Sequence, residues 1–312
     1  MPDPSPQNPG LINWLLIAGL GVIWGAAFVS MSVALEGFGY WTVAAWRLGV
    51  GAVALTMIGA VMGQAPGGIT RSAGAKGWLF AVLIGIGSYA LPFALLTWGL
   101  QHVPSAFAGV TMGMLPLLVL PLVALFSPEE GIGPRRVAGV SLGFVGLLIL
   151  FGPSALESDG SRLAFLGQLA CFVAALCYAV GSVATRRAPR MPPLAFAAAS
   201  LASGAALLLP VAIWIEGWPK AWPLHPALAL LYAALFPTAF AAAVRIRVIT
   251  TAGSLFMTLT NYMVPVWAVV FGVWLLDEEL PPQLYISLFL ILSGIAVSQS
   301  RAIQDALGNR RG

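Results

Sequence analysis

INWLLIAGLGVIWGAAFVSMSVAL, residues 12–35, holds no charged side chain, and its centre LLIAGLGVIWGAAF, residues 15–28, is apolar on every helical face. A bilayer core about 30 Å thick needs about 20 apolar residues of helix, so this run predicts a membrane-spanning helix. Barrel strands would alternate polar and apolar side chains, and this run does not. Working outward, charges and turn residues cut the chain into ten such stretches, at 12–35, 40–62, 78–99, 104–127, 134–152, 163–185, 193–215, 226–247, 252–275 and 281–299. They are rich in Gly, Ala and Ser, which let neighbouring helix backbones approach closely.

Composition agrees. Of 312 residues, 59% are apolar and 8% charged, against about 45–50% and about 25% in a soluble domain. So few charges cannot coat a water-facing surface, which excludes a soluble enzyme, a disordered chain and a nucleic-acid binder. The 35 Gly and 23 Pro follow no three-residue period, which excludes collagen. Cys171 and Cys177 sit six residues apart in one apolar stretch, on different helix faces, and read as small buried hydrophobes. Residues 1–10 carry no Lys or Arg, so the first run reads as a retained span rather than a cleaved signal. The connections are short and leave no room for an inserted soluble domain.

Basic residues set the orientation. The side holding the N-terminus carries Arg71, Lys76, Arg135, Arg136, Arg186, Arg187, Arg190, Arg245, Arg247, Arg301, Arg310 and Arg311; the other carries Arg162 and Lys220, and Arg47 lies inside the second span. This asymmetry predicts that both termini are cytoplasmic, in the cell inner membrane, and it supports an even number of crossings. Trp14, Trp41, Trp78, Trp98, Trp214, Trp218, Trp222 and Trp274 lie near span ends, as interfacial aromatics do.

The halves look related. Sliding residues 105–150 by 149 positions superposes Ser105 on Ser254, Thr111 on Thr260, Met114 on Met263, Pro116 on Pro265 and Glu129-Glu130 on Glu278-Glu279. Five helices per half is an odd number, so the second half must enter the membrane from the opposite side, as in many secondary transporters. The expected organisation is therefore an all-α polytopic membrane protein of ten transmembrane helices: a first five-helix repeat over 1–152, a linker over 153–162, and a second, inverted repeat with a short cytoplasmic tail over 163–312.

GVIWGAAFVSMSVALEGFGYWTVAAWRL, residues 21–48, resembles the WG-x-x-F-V opening, followed by an Arg in the second helix, of EamA-type proteins, the ten-helix branch of the drug/metabolite transporter superfamily. The fourth and ninth spans, each with an initial Ser, a mid-helix Pro and a terminal acidic pair, are also similar to that family. The resemblance covers nearly the whole chain. It implies a 5+5 inverted repeat, a central cavity lined mainly by helices one to four and six to nine, and export of amino acids or other small metabolites.

All eleven acidic residues lie in tails, loops or span ends. No carboxylate sits mid-membrane to exchange a proton for a cation, which speaks against cationic-drug recognition of the kind seen in four-helix multidrug relatives. His102 and His225 fall near span ends, no set of metal ligands is visible and no cofactor is implied. Arg47 is the one charge well inside a span, about 10 Å deep at 1.5 Å per residue. A buried Arg costs at least about 2.5 kcal/mol on insertion scales and so needs a partner. It reads either as an anchor for a substrate carboxylate or as a structural residue that snorkels, pairs with Glu36 or caps carbonyls. Trp24, Tyr89, Met112, Tyr178, Asn261 and Tyr262 are candidate substrate-binding residues, which together would suit a semi-apolar solute with a polar end. Asn261 serves equally to bond another helix. Pro116 and Pro265 each remove a helical N–H and read as matched kinks, either gating or static.

No nucleotide-binding loop is present, so ATP is not the expected fuel. The pattern predicts a secondary transporter of small organic metabolites, an amino-acid exporter first, with an importer, a facilitative channel or a multidrug efflux transporter as alternatives. Its expected partners are a small-molecule substrate and the bilayer, not nucleic acid, and the expected unit is a monomer or weak homodimer.

Overall fold

The computed structural model describes residues 10–126, 133–152 and 161–299. Among these residues the structure is all-helical: α1 (Gly10–Leu35), α2 (Tyr40–Val61), α3 (Gly67–Gly85), α4 (Leu91–Gly99), α5 (Ser105–Gly113), α6 (Leu115–Phe126), α7 (Pro134–Phe151), α8 (Ser161–Arg186), α9 (Pro193–Glu216), α10 (Leu224–Ala234), α11 (Ala241–Met257), α12 (Thr260–Leu276) and α13 (Pro282–Ser298). Eight helical segments are long and apolar enough to cross a membrane, and Thr260–Leu276 and Pro282–Ser298 are shorter apolar helices. Large apolar side chains cover the outside: Trp214 is 86% exposed, Trp274 76% and Phe289 70%. Such a surface is unusual for a water-soluble monomer and suits lipid.

Two segments are joined through π turns. Ile86–Ala90 links α3 to α4, and Leu235–Phe240 links α10 to α11. In each, the ladder widens to an i→i−5 bond, Leu91 N–H to the Ile86 carbonyl and Ala241 N–H to the Phe236 carbonyl. Proline explains both sites: Pro92 and Pro237 have no N–H to complete the α pattern, and the widened turn absorbs the missing bond.

The boundaries differ from the sequence expectation in two places. The third segment starts at Gly67 rather than near 78, because GGITRSAGAK forms helix on either side of Gly74, which takes φ 54°. The eighth continues past 247 to Gly253, where φ is 88°, so Arg245 and Arg247 sit inside the helix rather than at its last turn. The two prolines also differ. The helix is interrupted at Met114, two residues before Pro116, whereas Pro265 lies inside an unbroken α12 and the interruption falls at Thr258–Leu259. Glu129 and Glu130 lie outside the described residues.

Glycine sets the closest crossings. A Cβ on Gly25 would run into Trp267, one on Gly21 would lie 2.6 Å from the Met263 Cβ, and one on Gly113 would lie 3.0 Å from Pro265. These contacts bring α1 and α5 onto α12, with the small-xxx-small spacing of membrane helix packing. Elsewhere α2 packs on α9, α7 on α13, α4 on α8 and α1 on α10.

Three helix N-termini are capped from the distant half of the chain. The Glu216 carboxylate, ending α9, accepts the N–H groups of Trp41 at 3.0 Å and Thr42 at 2.8 Å and the Thr42 hydroxyl at 2.7 Å. Gln64, just past α2, accepts the Leu194 N–H at 3.1 Å. Glu278 accepts Ser105 N–H at 2.6 Å and Ala106 N–H at 3.1 Å. The first turn of a helix leaves N–H groups without partners, and a carboxylate there satisfies them and complements the dipole.

Candidate functional site

Arg47 projects from the middle of α2 and is 6% exposed. Its neighbours on α2, Ala44, Ala45, Leu48 and Gly51, are all buried. It does not snorkel, and it has no ion pair with Glu36, which is exposed. Three neutral groups hold the guanidinium instead. Nε–H donates to the Thr238 hydroxyl at 3.1 Å, Nη1–H donates to the Met31 sulfur, and Cζ lies 4.2 Å from the centroid of the Phe93 ring. A guanidinium has five N–H donors. Nη2 has no hydrogen-bond partner among the described residues.

Aromatic rings surround this charge. Phe93 meets Tyr89 and Tyr178 edge-on, each at 6.2 Å between centroids. Trp24 joins from α1, where its indole N–H donates to the Pro237 carbonyl at 2.9 Å. Three expected site residues, Arg47, Tyr89 and Tyr178, therefore belong to one cluster, and Trp24, which packs with the separate core around Ile17 and Leu20, meets its edge through Pro237. The cluster is drawn from α1, α2, the first π turn, α4, α8 and the second π turn.

The other three lie elsewhere. Met112 and Tyr262 pack against the apolar core built around Phe28, Met114 and Ala268. The Tyr262 hydroxyl is buried without a partner, and Asn261, its neighbour on the first turn of α12, is half-buried. Pro265 is buried against Gly113, and Pro116 opens α6. Several small hydroxyls bond their own helices: Ser30 to the Ala27 carbonyl, Thr111 to Phe107 and Thr260 to Met257.

Three contributors were missing from the sequence reading: Met31, Phe93 and Thr238. The signal for Thr238 was present in LFPTAF, residues 235–240, where a proline strips a partner from a carbonyl one turn back and a hydroxyl follows at once. Chemically, the cluster offers a guanidinium with an unpartnered Nη2 that matches a carboxylate, and an aromatic wall that matches an apolar side chain.

The chain matches the EamA-like transporter family over residues 11–152 and 165–299. It is 27% identical over 281 residues to the protein named "Uncharacterized transporter YoaV" of Bacillus subtilis, across 89% of this chain and 94% of that one. It is 26% identical over 306 residues to a protein of Streptantibioticus cattleyicolor named as a probable terminal-alkyne amino-acid exporter, across 96% and 95%. A 124-residue stretch is 36% identical to the aromatic amino acid exporter YddG of Ancylobacter novellus, across 40% of this chain and 42% of that one. A solved crystal structure shares the fold with a TM-score of 0.66 and 23% identity, covering 94% of this chain and 98% of the other. The chain is a multi-pass membrane protein, and it belongs to the EamA-like transporter family.

Proposed function

We propose that this protein exports amino acids or closely related small carboxylates across the cell inner membrane by alternating access. The observation that carries the reading is Arg47: a guanidinium deep in an apolar helix, held only by neutral groups and with Nη2 unpartnered among the described residues. A charge so placed calls for an anion, and a carboxylate supplies one with matching fork geometry. Tyr89, Phe93, Tyr178 and Trp24 suit a semi-apolar side chain. Two relatives carry names of amino-acid exporters, which supports both the direction and the substrate class. Met112, Asn261 and Tyr262 belong to a second wall, contributed by the fourth and ninth spans, that the solute meets as the halves rock.

The moving parts are two inverted five-helix repeats, residues 1–152 and 163–312 joined by 153–162, with ten crossings and both termini cytoplasmic. Several features support this arrangement. The family match falls in two stretches, one per half. The π turns start at Ile86 and Leu235, which are 149 positions apart. The caps are reciprocal: the end of α2 caps α9 and the end of α9 caps α2, and Gln64–Glu216 and Thr42–Leu194 share a separation of 152 positions. The working unit is the single chain, alone or in a weak homodimer, and Pro116 and Pro265 flank the crossing that opens and closes.

The test is ligand-dependent thermal stabilisation of the purified protein across a metabolite library, since a ligand that prefers the native state raises the melting temperature. Amino acids bearing an apolar side chain are expected to stabilise, and their decarboxylated amines are not. Equal stabilisation by the amines, or none by any carboxylate, contradicts the reading.

A further inference from the structure

Pro237 and Thr238 form a device at the edge of the Arg47 cluster. In an α-helix the N–H of residue 237 would bond to the carbonyl of Ala233, and proline has no N–H to give. The Thr238 hydroxyl fills that gap by donating to the Ala233 carbonyl at 2.9 Å. With its proton committed there, the oxygen keeps lone pairs only, and one of them accepts Arg47 Nε–H at 3.1 Å. The same turn leaves the Pro237 carbonyl free to accept from Trp24. A Cβ on Gly51, one turn along α2 from Arg47, would lie 2.8 Å from the Thr238 methyl, so α2 is pressed against this turn where the contact is made. Thr238 is buried at 8% exposure, and no water need compete for its oxygen.

We infer that Thr238 is a positioning residue for the substrate carboxylate: its proline-dictated hydroxyl fixes the Arg47 guanidinium by Nε, so that the Nη2 edge is the one presented to the anion. The inference rests on the reading of Arg47 as a carboxylate anchor. Guanidinium binding of a carboxylate is directional, so a guanidinium free to rotate about its last bonds loses pre-organisation as well as a contact. The π turn thereby sets Trp24 and Arg47 together. A rearrangement of that turn would release both, which ties carboxylate affinity to the conformation of the segment joining α10 to α11.

The experiment uses the purified full chain with L-phenylalanine as probe, chosen for the aromatic wall, and reads affinity by calorimetry and KM and kcat in proteoliposomes. Thr238→Val keeps the shape of the side chain and loses both hydrogen bonds. Losing a hydrogen bond to a charged group corresponds to about a tenfold weakening, so KM and Kd should rise about tenfold with kcat little changed, and Thr238→Ser should restore both. Pro237→Ala separates positioning from mere stability. It returns an N–H to Ala233 and a better helix former to the segment, so it should melt no lower than wild type and still bind more weakly. Wild-type affinity in Thr238→Val, or equal loss in Thr238→Ser and Thr238→Val, overturns the inference. If Arg47→Gln binds L-phenylalanine as wild type does, or if wild type does not bind it, the carboxylate-anchor reading fails and this inference fails with it. If Arg47→Gln loses binding while Thr238→Val does not, only the role of Thr238 is lost.

Discussion

A single charged residue in a largely apolar helix dominates the chemistry available to this molecule. Arg47 is satisfied by a hydroxyl, a thioether and a phenyl ring, none of which neutralises it. Geometry at that position should therefore matter as much as charge. Arg47→Lys keeps the cation and loses the planar fork, and its affinity for a carboxylate solute should fall about tenfold, a loss of the size expected for a charge-assisted hydrogen bond, measured by calorimetry. Small residues are equally exposed to test. Gly25 has no room for a Cβ beside Trp267, so Gly25→Leu should overpack the α1–α12 crossing and cost about 1–3 kcal/mol, read as a lower melting temperature in detergent. At this scale the sequence announced Arg47, Tyr89 and Tyr178, because a charge and polar rings stand out against an apolar background, but not Phe93, the ring in contact with the guanidinium. Thr238 was harder to read: LFPTAF sets a hydroxyl beside a carbonyl that proline leaves unpaired, but many membrane threonines bond their own helix, as Thr111 does to Phe107, and only the contact with α2 gives this one its second role.

Helix ends and helix breaks carry the coupling between the halves. Glu278 closes the N-terminus of α5 with two backbone bonds, and Glu216 closes that of α2 with three bonds. Capping losses run at about 0.5–2 kcal/mol. Glu278→Ala and Glu216→Ala should therefore each lower the melting temperature, and Glu278→Gln and Glu216→Gln should recover part of the loss by keeping an acceptor oxygen. Equal melting temperatures for Ala and Gln variants would show that these contacts do not stabilise the fold. Span positions were readable from the sequence because charges and turn residues punctuate apolar runs. The caps were not, since Gln64 and Leu194 lie 130 positions apart and nothing local pairs them. The prolines were half legible. Pro237 lies in the second π turn and Pro92 directly follows the first, as loss of an N–H demands, whereas Pro265 lies inside α12 and leaves its break to Thr258–Leu259.

On the scale of the whole molecule, alternating access requires two antiparallel units sharing one solute site. In a chain whose own Cys171 and Cys177 are replaced, single cysteines at Gln64 and Ala188 should react with a membrane-impermeant reagent only from the cytoplasm. Cysteines at Gly37, Gln101 and Lys220 should react only from outside. Gln64 and Lys220 labelled from the same face would break the inverted arrangement. The most direct measurement is counterflow in proteoliposomes. Vesicles preloaded with unlabelled L-phenylalanine and diluted into labelled L-phenylalanine should take up label transiently above equilibrium, with saturation, and Arg47→Gln should lose the overshoot. Flux that rises linearly with concentration, or an overshoot unchanged in Arg47→Gln, would contradict a carboxylate site opened alternately to the two faces.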